Sequence, residues 1–90
     1  MLNFSGCNIP ANLQQELTRY IERGADPGPF LDAVLSNDLI RAVGYASASD
    51  LSALKDLVNW LTYHAPQGSF GSAAIVNRWI NVKNPEAQNS

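Results

Sequence analysis

The stretch Asp50-Leu51-Ser52-Ala53-Leu54-Lys55-Asp56-Leu57-Val58-Asn59-Trp60-Leu61-Thr62-Tyr63-His64 decides the class of fold. Leu51, Leu54, Val58, Leu61 and Ala65 recur at alternating spacings of three and four, the stripe of an amphipathic helix with coiled-coil character. Leu57 and Trp60 widen that stripe. Pro66 ends it, because proline cannot continue the hydrogen-bond ladder. Ser47-Ala48-Ser49-Asp50 supplies side chains that cap a helix start.

The same reading extends in both directions. From about Pro10 to Arg23, Leu13, Leu17, Tyr20 and Ile21 share one helical face. Pro10 suits a first turn, and Gly24 stands where a left-handed residue closes a helix. Asp26-Pro27-Gly28-Pro29 is a turn. Phe30, Leu31, Ala33, Val34 and Leu35 form a short buried helix up to Ser36. Ser36-Asn37-Asp38 favours a break and a new cap before Leu39, Ile40 and Val43, with a stop near Gly44. One continuous helix from Pro29 to Val43 is the alternative. Beyond the loop 66–71, Ser72 caps a last helix of about 73–82, with Ile75, Val76, Trp79 and Ile80 on its apolar face. No segment alternates with the period of a strand. The expectation is an all-α single domain of four to five helices over 10–83, with a mobile segment 1–9 and a polar tail 84–90.

Ninety residues, 46% of them hydrophobic, make one domain with a thin core. Thin cores gain from association, and the stripe and two tryptophans exceed what this one needs, so a homo-oligomer is expected. Six Lys and Arg against eight Asp and Glu leave a net charge of −2 and no basic footprint for duplex nucleic acid. No apolar run reaches the ~18 residues of a membrane span. The first residues lack the basic-then-apolar order of a signal peptide. One cysteine, Cys7, forms no internal disulfide, and one Cys with one His does not fill a structural zinc site. The chain therefore reads as soluble, reduced and intracellular, with no cofactor.

A catalytic set is hard to assemble. Cys7 and His64 are the one nucleophile–base combination, and a structural imidazole near a helix end is the plainer role for His64. The aspartates are dispersed as caps, turn residues and solvated side chains. Two loop-to-helix junctions carry more information: Pro27-Gly28-Pro29-Phe30 and Gly68-Ser69-Phe70-Gly71-Ser72. Each sets glycine and an aromatic ring at a helix start, where free N–H groups attract anions. Arg41 and Arg78 add cations suited to phosphate. The residues expected to bind a ligand are Gly28, Phe30, Arg41, Phe70, Gly71, Ser72 and Arg78. The plainer alternative puts Phe30 and Phe70 in the core and the arginines in water or in ion pairs.

The string Gly28-Pro29-Phe30-Leu31-Asp32-Ala33-Val34-Leu35-Ser36-Asn37-Asp38-Leu39 resembles a pattern of short phage- and prophage-encoded proteins, P-G-x-F-L-x-A-V-L-x-N-D-L. Those proteins also carry an aromatic helix, then A-P, a short loop, G-S and a helix with a Trp. Trp60 to Pro66, Gly71-Ser72 and Trp79 follow that order here. Pro29 takes the variable position before Phe30, where Gly is usual, Ser69-Phe70 stands where Cys-Trp is common, and Tyr63 where Asn is usual. The resemblance implies a small viral accessory protein in the cytoplasm of a host cell. Many such proteins counter host defence by sequestering a nucleotide signal or by binding an effector protein. The expected function is sequestration of a small anionic nucleotide-like signal without turnover. The alternative is a protein–protein inhibitor or adaptor acting on a host defence protein.

Overall fold

Five helices follow one another in the computed structural model, which describes residues 2–4 and 6–84: α1 (Ala11–Arg23), α2 (Pro29–Leu35), α3 (Leu39–Tyr45), α4 (Ala48–His64) and α5 (Ala73–Lys83). The described residues contain no strand, so the chain is all-α. The tail expected from 84 lies outside the described residues beyond Asn84.

Local chemistry sets most boundaries. Pro10 is the N-cap of α1, one position outside the helix, and its carbonyl accepts the N–H of Gln14 at 3.0 Å. Gly24 closes α1 at φ 70°, and its N–H donates to the Tyr20 carbonyl at 2.9 Å. Between α2 and α3 the chain does break. Asn37 takes φ 60°, a left-handed conformation that asparagine tolerates better than most residues. The N–H groups of Asn37 and Asp38 turn back to the carbonyls of Val34 and Ala33 at 3.1 and 2.8 Å, a Schellman closure of α2. Asp38 then caps α3, its Oδ1 accepting the Arg41 N–H at 3.2 Å. At α4 a capping box forms: Ser47 Oγ accepts the Asp50 N–H at 3.2 Å, and Asp50 Oδ2 accepts the Ser47 N–H at 3.1 Å. It starts α4 at Ala48, two residues before Asp50. Ser72 Oγ caps α5 through the Ile75 N–H at 3.2 Å.

The core collects Leu13, Leu17, Tyr20 and Ile21 of α1, Phe30, Leu31, Ala33 and Leu35 of α2, and Val76 of α5. From α4 it takes Ala53, Leu57, Trp60 and Leu61. The expected stripe of α4 is thus rotated: Leu57 and Trp60 head the buried face, while Leu51 and Val58 stay exposed. The reason is area. Burying Leu57 and Trp60 removes more apolar surface from water than burying Leu51 and Val58 would, so the face bearing Trp60 turns inward. On α3 only Ala42 is buried; Leu39, Ile40 and Val43 point outward.

The N-terminal segment, expected to be mobile, is held on α4 in its described part. The Trp60 indole N–H donates to the Asn3 carbonyl at 2.8 Å, and the Phe4 ring stacks on Trp60 with centroids 4.6 Å apart. The Asn8 N–H donates to Asp56 at 3.1 Å. A buried indole needs an acceptor for its N–H, and this segment supplies it.

Tyr20 joins three elements. Its phenol donates to the Ser69 carbonyl at 2.7 Å, within the wholly buried part of the loop between α4 and α5. Its own carbonyl also accepts the Trp79 indole N–H of α5 at 3.0 Å. Burial foremost, with the Asp32 charge adding to it, pushes the Tyr20 phenol well above its ordinary value of 10.0. Below that value the phenol is protonated in both states, and its contribution to stability is complete. As pH rises past it, the unfolded chain sheds the proton that the fold retains, and stability falls until the folded phenol ionises too. Denaturant titrations should therefore show stability dropping above about pH 10, with the drop absent in Tyr20→Phe. At neutral pH that variant should lose about 1–2 kcal/mol, because the Ser69 carbonyl is left without its donor. Gly24→Ala should cost about 2 kcal/mol in the same assay. Residue 24 has positive φ, and a Cβ there meets the Lys83 Cβ at 2.7 Å and the Asn84 nitrogen and Ile80 carbonyl oxygen at 3.0 Å.

Candidate functional site

The loop 66–72 packs on the end of α2 and makes a groove. Ser69 Oγ donates to the Pro66 carbonyl at 2.6 Å, and the Gly71 N–H donates to the Leu35 carbonyl at 2.7 Å. Together these contacts hold Phe70 beside α4. The resulting cavity, ≈ 290 Å³, is walled by Val34, Asn37, Val58, Leu61, Thr62, Phe70 and Gly71. It shares Val34, Asn37 and Val58 with a smaller trough of ≈ 80 Å³ between α3 and α4, where Asp38, Leu39, Ala42 and Leu54 complete the wall. The wall of the wider cavity is mainly apolar, with polarity from Asn37 and Thr62 and no ionisable side chain, while Asp38 borders the trough. Thr62 Oγ1 donates to the Val58 carbonyl at 2.8 Å, leaving its lone pairs toward solvent.

The seven residues expected to bind a ligand fall in four places. Phe70 and Gly71 line the groove, and Ser72 adjoins it as the cap of α5. Gly28 and Phe30 sit at the opposite end of α2, in a separate cleft of ≈ 240 Å³ that includes Glu16 and Asp50. That cleft contains two carboxylates and no cation, which disfavours an anion there. The Gly28 N–H donates to Asp26 Oδ1 at 2.9 Å, so this donor is already used. Phe30 is 6% exposed and packs in the core, so its faces are not a stacking platform. Arg41 bridges α2 and α3: its guanidinium donates to Asp32 at 2.9 Å and lies 3.6 Å from Asp38. The Asp32 hydrogen bond, ahead of its charge, pushes the Arg41 pKa still higher. With two carboxylates around it, this cation offers little charge to a phosphate. Arg78 is exposed on α5, outside the groove wall.

No hydrogen bond joins Cys7 to His64 among the described residues. The His64 ring lies 6.1 Å from Trp60, and Cys7 is half-buried in the N-terminal segment. Among the described residues no three His, Cys, Asp or Glu side chains cluster to hold a metal ion. No helix among them is long and apolar enough to cross a membrane. A larger hollow of ≈ 370 Å³ lies between Leu2, Phe4 and the outer face of α1. Its polar wall is partly spent inside the chain, since Gln14 donates to the Ile9 carbonyl at 2.7 Å and Thr18 to the Gln14 carbonyl at 2.7 Å.

Sequence reasoning missed Val34, Asn37, Val58, Leu61 and Thr62 as groove residues. Asn37 has a local signal, the Ser36-Asn37-Asp38 break, but it reads first as a turn. The others are ordinary helix residues until α2 and α4 are brought side by side. No family model, curated protein or solved structure matches this chain. Phe30→Ala should behave as a core deletion, losing about 3–5 kcal/mol in thermal or denaturant unfolding. A residue acting only on a ligand would leave that stability unchanged.

Proposed function

We propose that this chain is a non-enzymatic protein-binding module, an inhibitor or adaptor that takes an apolar projection of another protein into the groove at Phe70 and Gly71. The observation that carries the reading is the wall of the wider cavity: mainly apolar, half-enclosed, and free of ionisable side chains. Such a wall rewards burial of apolar surface and offers no cation to a phosphate. On the resemblance to short phage and prophage proteins, the partner is a host protein, met in the host cytoplasm. Sequestration of a small nucleotide-like signal is the second reading. It is supported by the grouping of Phe70, Gly71 and Ser72 at one edge of the groove. It is weakened by the engagement of Arg41 with Asp32 and Asp38.

The test compares the tagged wild type with Thr62→Arg, Phe70→Ala and Val82→Arg in quantitative affinity capture from host cells. Thr62 and Val82 are exposed, so their variants keep the fold, and Val82 lies outside the groove. The expected result is a host protein enriched by wild type and Val82→Arg, and reduced about tenfold or more by Thr62→Arg and Phe70→Ala, equivalent to ~1.4 kcal/mol. Equal recovery by all four chains overturns the groove as the docking point. Native mass spectrometry of the same material separates the second reading, which requires a retained species of a few hundred daltons lost in the groove variants.

A further inference from the structure

We propose that residues 2–4 are a displaceable occupant of an aromatic slot on α4, and that the slot takes in their place an extended segment of another protein with the same chemistry, a main-chain carbonyl followed by an aromatic side chain. The slot stands apart from the groove at Phe70: neither Phe4 nor Trp60 lines that wall.

The segment itself shows what the slot binds. Trp60 is the largest fully buried side chain and only 1% exposed, yet one face of its indole is covered by Phe4 rather than by a helix. The two rings stack with centroids 4.6 Å apart and an interplanar angle of 28°. The indole N–H donates to the carbonyl of the preceding residue, Asn3, at 2.8 Å. A ring for stacking and one main-chain carbonyl are features that any extended peptide with an aromatic residue presents, and neither contact uses the Asn3 side chain. The His64 ring, one turn further along α4, borders the same indole at 6.1 Å. An emptied slot would leave an apolar ring face in water, so it favours a new occupant.

The way the segment is seated makes it displaceable. Residues 2–4 and 6–8 belong to no helix or strand, and Asn3, Gly6 and Asn8 are exposed. The turn at Gly6, φ 82°, is closed within the segment by the Cys7 N–H on the Phe4 carbonyl at 3.1 Å. Nothing lies within 4 Å of where a Gly6 Cβ would stand, so the turn packs on open space. On its other side the segment stands off from α1, with the ≈ 370 Å³ hollow between Leu2, Phe4 and the Gln15 and Arg19 side of that helix. Downstream, Ile9 is 5% exposed and its carbonyl accepts the Gln14 amide at 2.7 Å, which anchors the segment where α1 begins. Residues 2–8 thus form an arm with a fixed base. Opening it breaks the Asn3, Phe4 and Asn8 contacts with α4 and leaves the contacts between helices in place.

The probe is a fluorescein-labelled peptide of residues 2–9 of this chain, carrying Cys7→Ser, titrated with the full-length protein up to about 1 mM. Phe4→Ala, checked for helix content by circular dichroism, is expected to bind the peptide about tenfold or more tightly than wild type, whose tethered arm competes at a high effective concentration. A peptide that itself carries Phe4→Ala is expected to bind neither chain. No binding to the Phe4→Ala protein, or equal binding to both chains, overturns the proposal. Hydrogen exchange on wild type tests displacement without any variant: the Trp60 indole N–H is expected to be protected about tenfold or more weakly than the Leu57 and Leu61 amides of α4. Equal protection overturns the arm as a displaceable element. A wild-type dimer that Phe4→Ala abolishes in sedimentation assigns the slot to a second copy and overturns a different protein as its occupant. Adding Thr62→Arg to Phe4→Ala is expected to leave peptide binding unchanged, so failure of the groove and failure of the slot are distinguishable. Loss of binding there overturns the slot as a separate site.

Discussion

The arrangement of this chain depends on where the Tyr20 side chain ends. A phenol in the centre of so small a core must find an acceptor, and the one it finds is the Ser69 carbonyl. That bond ties α1 to the loop between α4 and α5. At the main chain of the same residue, the carbonyl receives both the closing N–H of α1 from Gly24 and the Trp79 indole N–H from α5. One residue therefore sets the end of its own helix, the seat of the last helix and the path of the loop. With Ser69 drawn inward, Phe70 and Gly71 are placed against α2 and α4, and the groove follows from that placement.

A second constraint acts at Asn37 and Asp38. Asparagine in the left-handed region ends α2, and the next residue caps α3, so the chain turns within two residues. The turn brings Arg41 back over Asp32 and settles the electrostatics of the corner within the chain. It also leaves α3 with a single buried residue, Ala42, and with its large side chains outward. A helix this short has little stability of its own, so its position relies on the corner that holds it. The outward apolar side chains of α3, Leu39, Ile40 and Val43, are thus a by-product of where the turn must be.

Much of the architecture was legible because it is local. Gly24, Asp38, Ser47 and Ser72 act on groups within a turn of themselves, and each was readable as a helix end from residue type alone. The Asn37 break was harder: a continuous helix over the same residues satisfies the apolar pattern equally well, and only the left-handed geometry of Asn37 separates the two. The buried face of α4 was legible in part. Periodicity offers two overlapping faces there, one through Leu51 and Val58 and one through Leu57 and Trp60, and it does not rank them. Of the candidate site, Phe70 and Gly71 were readable from a glycine-rich loop carrying an aromatic ring. Their partners on α2 and α4 were not, since Val34 and Thr62 are unremarkable along the chain and meet the loop only in space.

The order of residues in this chain was sufficient for its helical class, its punctuation and its caps, because those rest on interactions spanning four or five positions. It was also sufficient for the candidate aromatics and cations, as chemical types. Which of them are available was a matter of tertiary structure. Phe30 is withdrawn into the core, Arg41 is engaged by a carboxylate nine residues away, and Gly28 lies at the far end of α2 from Gly71. Burial and ion pairing depend on distances across the fold, and those distances follow from how whole faces pack, with the largest apolar surface, that of Trp60 and Tyr20, taking the interior first.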